Sequence, residues 1–422
     1  MSGDGSGGAS SQARVFFLTE DILINILLRL RAAICIARFR CVCRSWRILL
    51  SDPQFIRRFL FFQKSDDLES LQILFTGGPD DPMTTAVVHY SLYSYDTLGL
   101  ISEGDLPCAP SNSKSFSYPL QFRLTVVGCC GGIFCIADAN PNAPSDLILW
   151  NPATSETKLI LPRTTCPPYP PGLVKYVELA GFGYDPDTND YKVVRILKMD
   201  HDQDEIYLPL PQPFMYAEVY SLRKDSWKKL IDDDRADLSR SAFGHYVYQQ
   251  REISLNHKCY WFTGGCSREW STLSFDMSQE VFEYTSFTHP PAMEGWVCAS
   301  CFMLKESFVA FLAASYNRDP YYQVWVLLKQ GVTDSWTKLL TLAEPYAPYQ
   351  THALEIWKEG AYICSKGKYY TNRHGGHVYI SRLRTSEEEE GGDDERIEIR
   401  GRTLPFQALA YIPTQASLSH LE

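Results

Sequence analysis

The chain has 422 residues, of which 45% are hydrophobic and 13% aromatic, so it can bury a full core and is not disordered as a whole. No apolar run approaches the roughly 20 residues that a membrane helix needs, so no membrane partner is expected. Residues 1–13 are rich in Gly and Ser, which predicts a disordered tail with no secretory or transit signal.

The thirteen cysteines are an odd number and follow no disulfide-like framework. In a long chain this pattern is typical of reduced thiols. We therefore expect a cytoplasmic protein, which is also compatible with the nucleus.

Charge is distributed unevenly along the chain. Residues 14–64 contain ten Lys or Arg against three acidic residues, a net charge of +7, so the remainder carries −17 of the total of −10. This predicts two domains with different partners, a small one at 14–64 and a large one at 65–415. The alternative is that the positive net charge of this short segment arose by chance.

The small domain begins with a helix that Thr19 can cap and that has Glu20 and Asp21 in its first turn. The next nine residues are apolar except Asn25 and Arg29, so the helix is apolar nearly all round. Such a helix needs cover on both sides, and a module of this size covers only one. The other side is expected to bind a partner protein.

A second, longer amphipathic helix is predicted from Ile36 to Leu50, because apolar residues recur there at three- and four-residue steps. Arg40, Arg44 and Arg47 form a separate basic stripe on it. Phosphate binding usually needs a larger basic field, and the acidic remainder would repel it, so no nucleic-acid partner is expected. A solvated Arg face is the simpler interpretation.

A third helix is predicted from Asp52 and Pro53, which read as a cap and a first-turn proline, through Leu60. The small domain is thus a three-helix module.

The segment from Leu18 to Leu60, with its RFRCVCRSW core, resembles the plant form of the F-box. The resemblance implies docking onto the Skp-type linker protein of a Skp-cullin-F-box ubiquitin ligase and, through that linker, onto cullin. The interface residues that it implies are Leu18, Asp21, Ile22, Leu23, Ile26, Leu27, Leu30, Ile36, Phe39, Val42 and Trp46. Thr19 and Arg31 stand where the family commonly has proline. Without proline the unbound loops are more flexible, and the free energy needed to order them rises by about 0.5–1 kcal/mol for each position.

The large domain reads as all-β, with short aromatic and β-branched runs separated by Gly, Pro, Asn and Asp. Five similar strand–turn–strand segments start 70, 54, 52 and 54 residues apart. Their starts are Leu147, Ala217, Ser271, Gln323 and His377. This recurrence predicts a β-propeller of about six blades, with a strand-rich sandwich as the alternative. The fold class is therefore α+β multidomain, a small three-helix F-box followed by a large all-β domain.

Motifs in the large domain, such as GCCGGIFCI, ILWNPATSETKLILP and GFGYDPDTNDYKVVRI, resemble the plant F-box-associated interaction domain. Their order and the C-terminal LPFQALAYIP are most similar to S-locus F-box proteins and their close relatives. That resemblance implies a pollen protein that recognises basic style ribonucleases in self-incompatibility.

Candidate catalytic and ligand motifs are incomplete. Gly128–Gly132 lacks the Lys-Ser/Thr ending of a phosphate loop and is interpreted as a turn. The segment from Asp185 to Ile196 lacks the glycine and glutamate of a calcium loop and is interpreted as a hairpin turn. Cys298 and Cys301 form a lone Cys-x-x-Cys, typical of core thiols and not of a zinc site. We expect no metal, no cofactor and no enzymatic activity.

Two Asp-Ser-Trp turns place Trp227 and Trp336 where we expect blade-core anchors and not ligand contacts. The charge run at 385–396 predicts an acidic flexible loop within the large domain, solvated or attractive to a basic partner.

The target of the large domain is expected to be a protein with a basic surface, because opposite fields steer encounter. Loop composition suggests contact residues at three places, with a simple spacer role as the alternative. These residues are Tyr169, Lys175, Asp202, Asp204, Arg318 and Tyr321.

The sequence therefore predicts a non-catalytic substrate receptor whose candidate target is an S-RNase. A general plant F-box receptor for a defence, hormone or developmental target is the alternative in the same class. A propeller scaffold with a degenerate F-box is the alternative in another class, and a propeller enzyme is a remote third.

Overall fold

The computed structural model describes two short helices near the N-terminus and twenty-four β-strands with many of the turns that join them. The described residues are 20–29, 39, 41–50, 52, 55, 70–77, 88–108, 124–140, 143–160, 175–200, 214–233, 253–255, 257–263, 269–288, 296–304, 307–314, 321–327, 336–343, 351–357, 361–366, 377–382, 395–397, 405–414 and 418.

The helices are α1 (Glu20–Leu28) and α2 (Arg44–Leu49). The prediction of one helix from Ile36 to Leu50 is wrong, because Cys43 is extended, with φ −158° and ψ 172°. The cause is local: a β-branched valine lies between two cysteines, and these residues are among the weaker helix formers. Of the third predicted helix, the described Phe55 is helical and buried.

The strands, in chain order, are β1 (Gln72–Gly77), β2 (His89–Ser94), β3 (Leu100–Asp105), β4 (Leu124–Cys130), β5 (Ile133–Asn140), β6 (Ala143–Asn151), β7 (Glu156–Ile160), β8 (Lys175–Asp185), β9 (Asp190–Asp200), β10 (Phe214–Ser221), β11 (Ser226–Asp233), β12 (Ile253–Leu255), β13 (Lys258–Thr263), β14 (Glu269–Asp276), β15 (Val281–Thr288), β16 (Trp296–Leu304), β17 (Ser307–Ala314), β18 (Tyr321–Leu327), β19 (Trp336–Ala343), β20 (Thr351–Trp357), β21 (Ala361–Lys366), β22 (His377–Arg382), β23 (Glu395–Ile397) and β24 (Pro405–Tyr411).

These strands form six antiparallel sheets of four, which confirms the predicted six-bladed propeller. Five sheets use four consecutive strands, and the sixth joins the C-terminal β24 to β1, β2 and β3, so the two ends of the domain close the ring in one blade. We name them blade 1 (β24, β1–β3), blade 2 (β4–β7), blade 3 (β8–β11), blade 4 (β12–β15), blade 5 (β16–β19) and blade 6 (β20–β23).

The five repeats found in the sequence are the third and fourth strands of blades 2 to 6. The sixth copy is the β2–β3 hairpin of blade 1, which sequence reasoning missed. The cause is composition: β3 reads LISEGD and has exposed or half-exposed residues throughout, so it carries little of the apolar pattern of the other copies.

The same turn recurs in five hairpins of blades 1 to 4. Its first residue is Asn, Asp or Ser, and the side-chain oxygen of that residue accepts a backbone N–H two or three residues later. Its fifth residue has positive φ, between 47° and 58°. The first residues are Ser94, Asn151, Asp185, Ser221 and Asp276, and the fifth are Leu98, Ser155, Asn189, Asp225 and Glu280. The interpretation of the Asp185 segment as a hairpin turn is confirmed.

The prediction of a turn at Gly128–Gly132 is confirmed only for Gly131 and Gly132, because Gly128 to Cys130 belong to β4. Gly131 and Gly132 have φ of 57° and 78° and join β4 to β5. A Cβ on Gly132 would meet the backbone oxygen of Ile412 at 2.7 Å, so the close approach of the C-terminal segment excludes any other residue here.

The hydrophobic core lies between neighbouring blades. One buried cluster joins blades 3 and 4 through side chains such as Val194 and Phe275, another joins blades 1 and 2, and a third joins blades 2 and 3. The third cluster contains Leu418, which is 3% exposed, so the packing of the domain continues past the predicted boundary at residue 415.

Because strands alternate in direction, the propeller has two distinct ends. Connections between first and second strands and between third and fourth strands leave at one end, which we call the turn end; all other connections leave at the opposite end, the loop end. The described turn-end connections are tight turns such as 131–132, 152–155 and 222–225. The loop end carries longer connections such as 161–174 and 234–252.

No described helix has the length and apolar character to cross a membrane. The predicted acidic hairpin at 385–396 is partly corrected, since Glu395 and Arg396 belong to β23, which pairs with β22. Residues 385–394 lie outside the described part of the chain, as do 1–13.

Candidate functional site

The α1 helix divides its apolar residues between an inner and an outer side. Leu27 and Leu28 are each 2% exposed, whereas Ile22 and Ile26 are 48% and 47% exposed. The two isoleucines are four residues apart and so share one face of the helix. An isoleucine pair of this kind in water is typical of a surface that a partner covers.

The segment around α2 exposes a second apolar pair. Val42 is 62% and Ile48 is 66% exposed. Trp46 is half-buried and contacts the edge of Phe39, with ring centroids 5.6 Å apart and ring planes at 88°. Trp46 therefore packs α2 against Phe39 and presents part of its ring at the surface.

The break before α2 leaves Cys43 exposed as the residue that precedes the helix. A hydrogen bond between its thiol and the Ser45 hydroxyl, 3.1 Å apart, lowers the pKa of the Cys43 thiol, with a smaller contribution from the Trp46 backbone. The side chains of Arg44 and Arg47 are exposed next to it, so this edge of the module is basic.

The predicted linker contacts therefore differ in their placement. Ile22, Ile26 and Val42 are exposed, Leu23, Phe39 and Trp46 are half-buried, and Leu27 is buried. The expectation for Leu27 is corrected: it supports α1 from inside, because it lies on the opposite side from Ile22 and Ile26. Leu18, Leu30, Ile36 and the side chain of Asp21 lie outside the described residues.

Sequence reasoning missed Ile48. It is the most exposed large apolar residue of the described chain and lies two residues after the predicted anchor Trp46. The predicted stripe followed a continuous helix from Ile36, and since the helix starts only at Arg44, its faces are set by other residues.

At the turn end of the propeller, a buried ionic cluster joins blades 3 and 4. The Lys192 ammonium lies 2.8 Å from a carboxylate oxygen of Asp185 and 2.8 Å from one of Glu280, and it donates to the Met277 carbonyl at 2.8 Å. The Lys192 and Asp185 side chains are 6% and 0% exposed. Thr188 and Ser278 also donate to Asp185, at 2.6 and 2.7 Å.

The pKa values of this cluster follow from its contacts. Burial alone raises the pKa of Asp185, but hydrogen bonds from Lys192, Thr188 and Ser278 outweigh burial and hold that pKa well below its usual range. Burial likewise opposes charge on Lys192 and Glu280, yet their mutual contacts raise the pKa of Lys192 and lower that of Glu280. All three groups are charged at neutral pH, and the cluster is a structural clasp.

A second buried ion pair lies inside blade 3. Arg195 on β9 donates to the Glu218 carboxylate on β10 through two nitrogens, and the Tyr216 hydroxyl donates to the other carboxylate oxygen at 2.8 Å. The Arg195 guanidinium also lies 4.6 Å from the centroid of the Trp227 ring. Trp227 is thus a blade-core anchor, as predicted; the side chain of Trp336 lies outside the described residues.

Two of the predicted target contacts are described, and both lie at the loop end. Lys175 and Tyr321 were expected in loops but are the first residues of β8 and β18, where each strand starts at the loop end. Tyr169, Asp202, Asp204 and Arg318 lie outside the described residues.

Within the described residues, no group of three or more His, Cys, Asp or Glu side chains is placed to hold a metal ion. The side chains of Cys298 and Cys301 are not among them. Cys129 and Cys130 are adjacent in β4 but pack into different clusters, one between blades 1 and 2 and the other between blades 2 and 3. Burial raises the pKa of the Cys129 thiol, as expected for a core cysteine.

Two family models match the chain. Residues 17–58 match the F-box domain, and residues 84–398 match the F-box associated beta propeller domain. The second match covers more than half of the chain and coincides with most of the six sheets. The F-box implies binding to a Skp-type linker.

Curated relatives support the same grouping. An F-box/kelch-repeat protein of Arabidopsis thaliana is 27% identical over 340 residues, which are 77% of this chain and 79% of the relative. The F-box protein CPR1 of Arabidopsis thaliana is 27% identical over 350 residues, 77% of this chain and 73% of the relative.

Solved structures are more distant. The β-propeller domain of the Trilobed protease from Pyrococcus furiosus aligns with a TM-score of 0.30 and 9% identity, over 65% of this chain and 71% of that one. A TM-score this low carries no information on function.

Proposed function

The chain belongs to the family of F-box proteins that carry an F-box-associated β-propeller, and we propose that it is the substrate-recognition subunit of a Skp-cullin-F-box ubiquitin ligase. The F-box holds the linker and cullin, the propeller holds a target protein, and ubiquitin transfer follows from proximity. The chain supplies effective concentration and performs no bond chemistry itself.

The observation that carries this proposal is the pair of exposed isoleucines on α1. Ile22 and Ile26 are about half exposed and share one helix face, while the same helix buries Leu27 and Leu28 on its other side. An apolar partner groove that covers both isoleucines supplies the cover that the module itself lacks. Val42 and Ile48 add a second exposed pair for the same partner.

The test is co-purification of the full chain with a plant Skp-type linker and cullin. We expect a stable complex with the unaltered chain and with Asn25→Asp, and loss of the complex with Ile26→Asp. Asn25 is exposed and adjacent, so its substitution places the same charge on the same exposed side of the helix without replacing an apolar side chain. A complex that survives Ile26→Asp, or no complex with a folded unaltered chain, contradicts the proposal.

For the target, we propose a protein with a basic surface, and a secreted style ribonuclease of the S-locus type is the first candidate. The order of the propeller motifs and the net charge of −10 support this choice. Binding of a panel of purified S-RNases, measured by calorimetry with the linker complex, tests it. A defence, hormone or developmental target is the alternative, and expression outside pollen favours that alternative.

A scaffold role with a degenerate F-box is the second candidate function. The observation that favours it is the absence of proline at Thr19 and Arg31, where the family commonly has it. The co-purification above separates the two functions. We further propose that the protein works in the cytoplasm, with the nucleus as a second location, which a fluorescent fusion checks.

A further inference from the structure

The turn end of blade 1 carries a cluster of exposed apolar side chains. The structure describes five exposed large apolar side chains in the propeller, and three of them lie here. Leu100 and Ile101 are the first two residues of β3 and are 44% and 49% exposed, and Ile412, which follows β24, is 53% exposed. The other two, Leu159 and Val281, stand singly on the fourth strands of blades 2 and 4, and single exposed apolar residues are normal.

A β-bulge makes Leu100 and Ile101 exposed neighbours at the edge of the sheet. β2 and β3 change register at this point, and Ile101 is the extra residue between the partners of Leu92 and Tyr93. A bulge bends its strand and re-aims side chains. Because β3 is the last strand of its sheet, this apolar pair lies on an edge strand. Folded proteins commonly cover such edges with a helix or a loop.

The chain enters the propeller beside this edge. β1 begins at Gln72, and the Leu71 carbonyl just before it accepts the Tyr95 N–H at 3.0 Å, in the turn that leads to β3. β1 lies between β24 and β2 in the sheet. Since neighbouring strands are about 4.8 Å apart, the entry point is one strand from β24 and two strands, about 10 Å, from β3. The segment that arrives from the F-box therefore ends next to the exposed side chains.

The segment before this entry point contains apolar groups that the F-box does not account for. Phe61 and Phe62 follow the predicted third helix and lie beyond residue 58, where the F-box match ends. They belong to a stretch outside the described residues that ends at Ser70. Residues 63–69 contain one apolar residue, Leu68, and seven extended residues span up to about 25 Å. This length exceeds the distance to β3, so the two phenylalanines can reach the edge of blade 1.

Charge favours the same contact. Residues 57–64, RRFLFFQK, carry three basic side chains and no acidic one. On blade 1, the β2–β3 turn contributes Asp96 and β3 contributes Glu103 and Asp105, while the sequence has no Lys or Arg from 89 to 105. Opposite charges therefore flank the two apolar surfaces. The same charges oppose contact between two copies of this edge, because both copies are acidic there.

We propose that Phe61 and Phe62 dock on the edge of blade 1 over Leu100 and Ile101, so that the segment leaving the F-box is held against the propeller. The contact fixes the direction in which the F-box module leaves blade 1, and with it the separation between linker and target. Only that consequence rests on the proposed receptor function. The contact itself involves a single chain and needs neither linker nor target.

The test uses the purified full chain with photo-reactive benzoylphenylalanine in place of Leu100. Val281 is the matched control site, because it is 48% exposed and is the first residue of the fourth strand of blade 4, as Leu100 is in blade 1. Trypsin cuts after Arg58 and Lys64, so the docking segment appears as the single peptide 59–64. An equal mixture of chains with natural and heavy nitrogen separates crosslinks within one chain from those between copies.

We expect a crosslink from position 100 to peptide 59–64 within one chain, at least about fivefold above the yield from position 281, because the photo-reactive group labels only what it contacts. Equal yields from the two positions overturn the docking assignment, as does the absence of this crosslink. A crosslink only to a second copy, or one that forms only to added linker protein, overturns it as well.

Trypsin cleavage after Lys64 in the folded chain is the second measurement. Leu100→Asp places a carboxylate beneath the phenylalanines and should speed this cleavage at least about fivefold, since cleavage follows local opening, whereas Val281→Asp should leave the rate unchanged. An unchanged rate in Leu100→Asp contradicts the contact. Linker co-purification reports separately on the receptor function: its loss with the crosslink intact refutes the function and leaves the contact established.

Discussion

On the F-box helices, large apolar side chains face water, whereas at the turn end of blades 3 and 4 even charged side chains are buried. Ile26 and Ile48 are exposed, while Asp185 is fully enclosed and contacts Lys192, Thr188 and Ser278. In this cluster the polar groups bind one another, and the pairing of β24 with β1 closes the ring of blades. The F-box helices expose Ile22 and Ile26 on one face, so the isoleucine face is available to a partner, whereas the buried cluster has its contacts complete.

The substitution with the largest expected effect on the stability of the propeller is Lys192→Met. It leaves the enclosed Asp185 carboxylate without its ammonium, and breaking a buried pair in this way costs about 3–5 kcal/mol of the free energy of unfolding. Denaturant unfolding of the full chain measures it. Lys228→Met is the matched control, because Lys228 contacts the same Glu280 but is 69% exposed, and its loss should cost about 0–1 kcal/mol. An equal loss of unfolding free energy in both variants would show that the buried contacts of Lys192 stabilise the protein no more than the exposed contact of Lys228.

On the F-box side, Ile26→Asp and Trp46→Ala should each weaken linker binding by about 2–4 kcal/mol, since one puts a charge in an apolar interface and the other removes an anchor. Titration calorimetry with the purified linker measures this loss. Asn25→Asp serves as the charge-matched control.

Propeller unfolding should be unchanged in these F-box variants. If Asn25→Asp weakens binding as much as Ile26→Asp, the surface is electrostatic and not apolar. Ile48→Asp tests whether the second exposed pair belongs to the same interface.

Gln407→Leu probes ring closure. The Gln407 amide accepts from the Val126 N–H and donates to the Val126 carbonyl, both at 2.8 Å, so it joins β24 of blade 1 to β4 of blade 2 as a strand would. Removing it leaves two backbone groups without this partner, at a cost of about 1–3 kcal/mol. Unfolding and amide hydrogen exchange of β24 measure it, with the exposed Gln279→Leu as control. Unchanged exchange in β24 would contradict the closing role.

The smallest expected effect on stability near neutral pH comes from protonation changes in the buried cluster of Asp185, Lys192 and Glu280. The folded-state pKa values of Asp185 and Glu280 are lowered, so their stabilisation is present above their usual values of 3.8 and 4.5 and is lost as pH falls through the lowered values. The pKa of Lys192 is raised, so its contribution is present below 10.5 and is lost as pH rises through the raised value. The clasp should thus contribute evenly between about pH 5 and pH 10.

The Lys192→Met variant checks this window. Its difference in unfolding free energy from the unaltered chain should stay constant between pH 5 and pH 9 and shrink at pH 3, where these carboxylates begin to protonate in the unfolded chain. A difference that varies across neutral pH would assign the stabilisation to other groups.

Much of the architecture follows from local sequence. The repeated strand–turn–strand segments, with Asn, Asp or Ser at the first turn position, specify hairpins because each turn is stabilised by its own side chain and backbone. The F-box motif identifies the first module because it too is local: Ile22 and Ile26 lie on one short helix. The hairpin of blade 1 was not predicted, because β3 lies at the edge of its sheet and has a polar sequence.

Tertiary structure decided which of these residues face water and which connections meet. Leu27 and Ile26 are adjacent and equally apolar, and only the packing of the module buries one and exposes the other. Asp185 and Ser278 lie 93 residues apart, and no local pattern pairs them. By itself the sequence determined the two modules and the hairpins, because these depend on neighbours along the chain. The ring closure, the buried clasp and the division into a turn end and a loop end depend on contacts between distant segments, which only the folded chain brings together.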